Sequence, residues 1–148
     1  MGLTYVNVRL TNTDDLALAR GDALPHERVR SIEVPVCVDT GAVNLCITTD
    51  VASRLGLRIL GCQTARLAND AGLAVDVAGP VEVEYGDRST TVRATVVPGA
   101  TENLLGAIPL EDMDLVVHPA EQKLVPAHPE GPIKPIKRFF NQHHPDQT

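Results

Sequence analysis

The stretch Val36-Cys37-Val38-Asp39-Thr40-Gly41-Ala42 places an ionisable carboxylate at the end of an apolar strand. Ser31 to Val38 reads as that strand, with Ile32, Val34, Val36 and Val38 on one face. A carboxylate in such a place is expected to be buried. It then needs hydrogen bonds, a partner or a raised pKa, because burying a lone charge is costly. Thr40 supplies a hydroxyl, and Gly41 lets the backbone approach closely with its N–H aimed at the carboxylate. Asp-Thr-Gly by itself is three common residues, and the plain alternative is a strand-end carboxylate capping its own turn. The apolar strand before it and Ala42 after it make the pattern more specific. The motif occurs once: Asp87-Arg88-Ser89 lacks the glycine and sits in a polar turn.

Working outward, Leu3 to Leu10 reads as a first strand, and Thr11 to Arg30 as a polar loop with at most a helical turn at Leu16 to Arg20. After the Asp-Thr-Gly turn, Leu45 to Ile47 is a short apolar run. Thr48, Thr49 and Asp50 offer an N-cap for a helix from Val51 to Leu55, closed by Gly56. From Ile59 the pattern is β again. Thr64 to Ala68 leads into Asn69-Asp70-Ala71-Gly72, a hairpin signal, and Leu73 to Val77 leads out. Gly79-Pro80 is expected to break the chain before Val81 to Tyr85. Gly86-Asp87 turns it into Thr90 to Val97. Asn103-Leu104-Leu105-Gly106 is a tight apolar run, and Pro109 marks the first position of a helix over Leu110 to Met113. Leu115 to Val117 and Lys123 to Val125 read as two last short strands. No internal repeat is present.

Composition bounds the partners. The 148 residues carry 13 Lys+Arg and 19 Asp+Glu, a net charge of −6. That acidity argues against nucleic acid and anionic membrane as partners, since both need clustered cations. The 43% hydrophobic content supports a core, and with no Trp, two Tyr and two Phe that core must be aliphatic. The three cysteines, Cys37, Cys46 and Cys62, have no paired spacing, and Cys37 and Cys46 read as small buried hydrophobes. The five histidines show no ligand-like spacing, so no metal and no cofactor are expected. The N-terminus has no signal-peptide pattern and no run long enough to span a membrane, which predicts a cytoplasmic protein.

Taken together, the Asp-Thr-Gly-Ala turn, the hairpin and the Leu104-Leu105-Gly106 segment with its following helix resemble the retropepsin-like (clan AA) aspartic proteases, in their single-domain prokaryotic form. The resemblance runs from Leu3 to about Val125. It implies a mostly β fold: a closed barrel forming half of an acid protease, with a flap hairpin and one or two short helices. The domain would cover 1–125, and 126–148 would be a Pro/His-rich, flexible tail. Asp39 would be the catalytic carboxylate. Thr40 would lock two copies of the turn together, and Gly41 would contact substrate backbone. Ala42 and the flap residues Asn69, Asp70, Ala71, Gly72 and Leu73 would line the substrate site, with Leu104, Leu105 and Gly106 supporting it from below.

A water-activating dyad needs two carboxylates, so a chain with one Asp-Thr-Gly must pair with itself. Two readings follow. The first is a homodimeric aspartic endopeptidase acting on a peptide or protein substrate. The second is a peptide-binding or scaffold module of the same fold with little or no catalysis. Two departures from the retroviral pattern keep the second open. Val43 and Ala107 stand where a charged brace joins the retroviral dimer, and the flap tip is not glycine-rich. The tail adds a further idea, that Lys137-Arg138-Phe139-Phe140 lies in the cleft as substrate or self-inhibitor.

Overall fold

The computed structural model describes residues 2–133 and 136. Nine strands and three α-helices follow the order β1 (Thr4–Asn12), α1 (Thr13–Arg20), β2 (Ser31–Val38), β3 (Leu45–Ile47), α2 (Thr49–Leu55), β4 (Arg58–Arg66), β5 (Gly72–Tyr85), β6 (Arg88–Val96), β7 (Asn103–Leu105), α3 (Ala107–Met113), β8 (Leu115–His118) and β9 (Lys123–Pro126). The large sheet runs β1-β2-β7-β3-β6-β5-β4, and β1 also pairs with β5. That extra pairing closes six strands into a barrel and leaves β4 outside it as the free arm of a hairpin. Fold class is therefore as expected: mostly β, a closed barrel with a flap hairpin and few short helices. Among the described residues no helix is long and apolar enough to cross a membrane.

The core is aliphatic. Leu10, Val36, Leu45, Ile47, Leu55, Ala78, Val81, Val83, Ala94 and Leu105 are all fully buried. Of the aromatics, Tyr85 packs only at its edge. Each of the larger aliphatic side chains contributes about 1.5–3 kcal/mol on leaving water, which lets a barrel this small dispense with rings.

Three expectations need correction. First, the polar segment after β1 is not simply a loop, since it holds α1 and a 3₁₀ turn at His26–Arg28. Asn12 caps α1 by accepting from the Asp15 amide at 3.0 Å, and its side-chain amide donates to Leu55 O, tying the end of α2 to the same residue. Asp15, itself buried, takes both the guanidinium and the backbone N–H of Arg30. Second, Gly79-Pro80 does not break the strand. β5 runs 14 residues through it with a bulge between Ala78 and Val81. At that point its outer neighbour changes from β4 to β1, so the bulge is the corner at which the flap leaves the barrel. Gly79 has φ +139°, which only glycine adopts easily. Third, α3 begins at Ala107, so Pro109 stands at its third position. It is still in the first turn, where an N–H has no helical partner.

The domain end expected at residue 125 falls inside β9, and the chain stays bonded to the barrel beyond it. Ala127 N donates to Asp114 O at 2.8 Å, and buried Arg88 donates to His128 O at 3.0 Å. Lys137-Arg138-Phe139-Phe140 lies outside the described residues.

Candidate active site

Asp39 follows directly on β2, and its turn is held by β7. Val36, Cys37 and Val38 pair in parallel with Asn103, Leu104 and Leu105, while Leu45 and Cys46 of β3 pair antiparallel with the other edge of β7. β7 thus lies between the strand entering the turn and the strand leaving it. The Asp39 amide donates to Leu105 O at 3.0 Å, Ala42 N closes the turn on Asp39 O at 3.0 Å, and Ala107 N returns to Ala42 O at 2.8 Å. Asp39 is half-buried rather than buried in the single chain, so the sequence overstated its burial. Its Oδ1 accepts from Gly41 N at 2.9 Å, the bond the Asp-Thr-Gly pattern required.

Gly106 is fixed by close approach. A Cβ there would lie 2.4 Å from Asn44 O and 2.6 Å from Ala42 O, both backbone atoms that cannot yield. Leu105 is buried and Leu104 half-buried, so the apolar run does underlie the turn. Sequence reasoning assigned no role to Asn103, which is buried. It accepts from Thr48 N at 3.0 Å and donates to Pro35 O at 3.3 Å, bracing β2 against the start of α2. A polar residue opening a buried apolar run was the available signal.

Thr40 and Gly41 are exposed. Thr40 borders a depression of about 390 Å³ with Ala107, Leu110, Leu115 and Val116. Val43 is 61% exposed, and its backbone carbonyl accepts from Ile108 N of α3 at 2.9 Å. The structure thus brings Asp39, Thr40, Gly41 and Ala42 together with Leu104, Leu105 and Gly106. The flap residues stand apart on their own hairpin.

The flap tip sits one residue earlier than expected. Leu67 N donates to Ala71 O at 2.9 Å, leaving Ala68-Asn69-Asp70 as the loop, while Gly72 and Leu73 already belong to β5. Asp70 takes φ +70°, and Asn69 Oδ1 accepts from Ala71 N at 3.0 Å. The Asn69 side-chain bond and the left-handed Asp70 thus make the turn without a glycine in the loop.

The thiols are not a disulfide pair. Cys37 and Cys46 are both opposite Leu104 on its two edges, two strand spacings or about 9.5 Å apart, beyond bridging range. Burial, and then the Asp39 carboxylate, push the Cys46 thiol above its ordinary pKa. Burial chiefly, with Glu102 and Asp39 adding, does the same for Cys37. Among the described residues no group of three or more His, Cys, Asp or Glu is placed to hold a metal.

A closed barrel with an Asp-Thr-Gly turn hung from an apolar-apolar-Gly strand, and one long hairpin leaving it, is the fold of a retropepsin-like aspartic protease. The family model "gag-polyprotein putative aspartyl protease" matches residues 28–112, more than half of the chain, and the chain belongs to that family. No curated protein matches the sequence. Among solved structures, the crystal structure of a retropepsin-like aspartic protease from Rickettsia conorii is similar at 19% identity with a TM-score of 0.41. That match covers 71% of this chain and 66% of the other, so this chain spans just under two thirds of its length.

Proposed function

We propose that the chain is an aspartic endopeptidase that works as a homodimer, the Asp39 carboxylates of two copies forming one dyad. The observation that carries this reading is the state of Asp39 in the single chain. It is held in place by Gly41 N–H, left half-exposed at an open turn, and is the one carboxylate of the turn. Two such groups brought face to face share one proton, because adjacent like charges cannot both ionise. The ionised member takes a proton from water, whose oxygen attacks the peptide carbonyl, while the protonated member donates to that carbonyl oxygen. Collapse of the tetrahedral species breaks the C–N bond as the proton held by the dyad passes to the amine.

In this reading Thr40 lies on the exposed rim that meets the second copy, with Gly41 and Ala42 contacting the substrate backbone. The flap from Asn69 to Leu73 closes over the peptide as an added strand. Leu104, Leu105 and Gly106 keep the turn in register. Val43 and Ala107 carry no charge, so the dimer is held by apolar surface such as the depression beside Thr40. Three unpaired thiols suit a reducing compartment, and we place the enzyme in the cytoplasm.

The test is cleavage of a peptide library measured against protein concentration, with sedimentation velocity on the same samples. Specific activity should rise with the dimer fraction and fall under a hydroxyl-containing isostere of the tetrahedral species. A monomer that neither dimerises with substrate nor cleaves it would leave the peptide-binding module as the function.

A further inference from the structure

The outer face of the barrel below the turn holds a polar pair that the dyad chemistry does not use. Tyr5 on β1 stands opposite Cys37 on β2, and Cys37 opposite Leu104 on β7, making one row across three strands. Their chain neighbours Thr4, Val36 and Leu105 are buried toward the core, so the row lies on the opposite face, with Tyr5 half-exposed, Leu104 half-buried and Cys37 buried between them. Asp39 lies two residues beyond Cys37 and shares that face. Glu102 lies two residues before Leu104 and shares it too. The Tyr5 hydroxyl donates to Glu102 Oε1 at 2.9 Å, joining residues 97 apart in sequence.

The register sets the spacing of the two carboxylates. The pairing of Val36 with Asn103 sets Glu102 level with Pro35, four residues from Asp39 along parallel strands, or about 13 Å of backbone. Between the two carboxylates lie the half-exposed Tyr5 ring and Leu104. In the peptidase reading, a peptide with its reacting bond at Asp39 has a neighbouring side chain within reach of this face. An extended Lys or Arg reaches roughly 6–7 Å from its Cα, and the glutamate arm spans much of the rest. Among the described residues no cation pairs with Glu102. Its carboxylate keeps a second oxygen for an ammonium or guanidinium, while an apolar stem suits Tyr5 and Leu104.

Building on the peptidase reading, we propose that Glu102 selects a basic side chain next to the scissile bond, with Tyr5 as the residue that positions its carboxylate. The net charge of −6 favours approach of such peptides. Tyr5 itself is held as the neutral phenol by its bond to Glu102, which raises its pKa.

Two peptides identical except for lysine or norleucine beside the scissile bond test the proposal. The lysine peptide should show a KM about tenfold lower at low salt, with kcat alike, and the gap should shrink in 0.5 M NaCl. Glu102→Gln should bring the lysine peptide to the norleucine level, and Tyr5→Phe should narrow the gap about twofold. Turnover with no lysine preference, or a preference that survives Glu102→Gln, overturns the proposal and leaves the peptidase standing. Fluorescence anisotropy of both peptides on Asp39→Asn separates the two readings. Lysine-dependent binding that Glu102→Gln removes, with no turnover by the unaltered chain, supports the selectivity and overturns the peptidase. Absence of both binding and turnover overturns both.

Discussion

The Asp39 amide donates to the Leu105 carbonyl at 3.0 Å, so the strand that precedes the turn and the strand that supports it are joined at the residue proposed to carry the chemistry. Orientation of the Asp39 side chain is then left to a single bond from Gly41 N–H at 2.9 Å.

Asp39→Asn keeps an oxygen to accept from Gly41 and changes no buried volume. Stability should stay within about 0.5 kcal/mol of the parent, read from urea unfolding. Peptide cleavage should fall by at least about 10³-fold, because neither copy retains a base for water. Retained cleavage by a well-folded Asn variant would end the dyad reading.

Gly106→Ala drives a methyl against the carbonyls of Asn44 and Ala42. Overpacking of this kind costs about 3 kcal/mol and should displace the turn, so activity drops together with the unfolding midpoint. Gly61→Ala is the control. Nothing lies within 4 Å of its Cβ position on the exposed β4, and the midpoint should not move.

Asn103→Ala leaves Thr48 N and Pro35 O without their side-chain partner in a buried setting. The expected loss is about 2 kcal/mol. Hydrogen exchange should quicken first at the start of α2, which the side chain anchors.

Acid should unfold the protein through two carboxylates. The Arg30 guanidinium holds Asp15 below its ordinary 3.8 despite burial, and a hydrogen bond from His128, with Arg88 adding, holds Asp114 below the same value. Both are lowered in the folded state. Their contribution is therefore complete above 3.8 and is lost as pH falls through the lower folded values. Thermal melts should show a plateau at neutral pH and a decline below about pH 4. Asp15→Asn should be about 1 kcal/mol less stable at pH 7, since Arg30 is half-exposed, and should decline less steeply in acid.

Arg88→Met removes donors to the carbonyls of Met113, Asp114 and His128. The barrel should persist while the chain after α3 loosens. Limited proteolysis should then cut first within 115–131, which the parent protein should resist.

Local chemistry is what the sequence made legible. The alternation from Ser31 to Val38, the Asp-Thr-Gly turn and the left-handed Gly56 each depend on residues within one or two turns of one another, and each stands where it was expected, while Thr48, one of three cap candidates, starts α2 at Thr49 rather than at Val51. Helix α1 was legible only as a helical turn at Leu16 to Arg20, because its cap, Asn12, reads as loop composition and Asp15 is stabilised by Arg30 across the segment. The continuity of β5 escaped because Gly79-Pro80 signals a break unless the partner strands are known.

From the residues alone came the mostly β class, the aliphatic core and the one carboxylate of the Asp-Thr-Gly turn, on which the proposed chemistry rests. Tertiary structure decided what surrounds it: β7 between β2 and β3, the Asn103 brace, Asp39 left half-exposed, and Glu102 brought to Tyr5. Periodicity records which face of a strand is buried, whereas contacts between distant segments follow from register and barrel closure, which no short window of sequence contains.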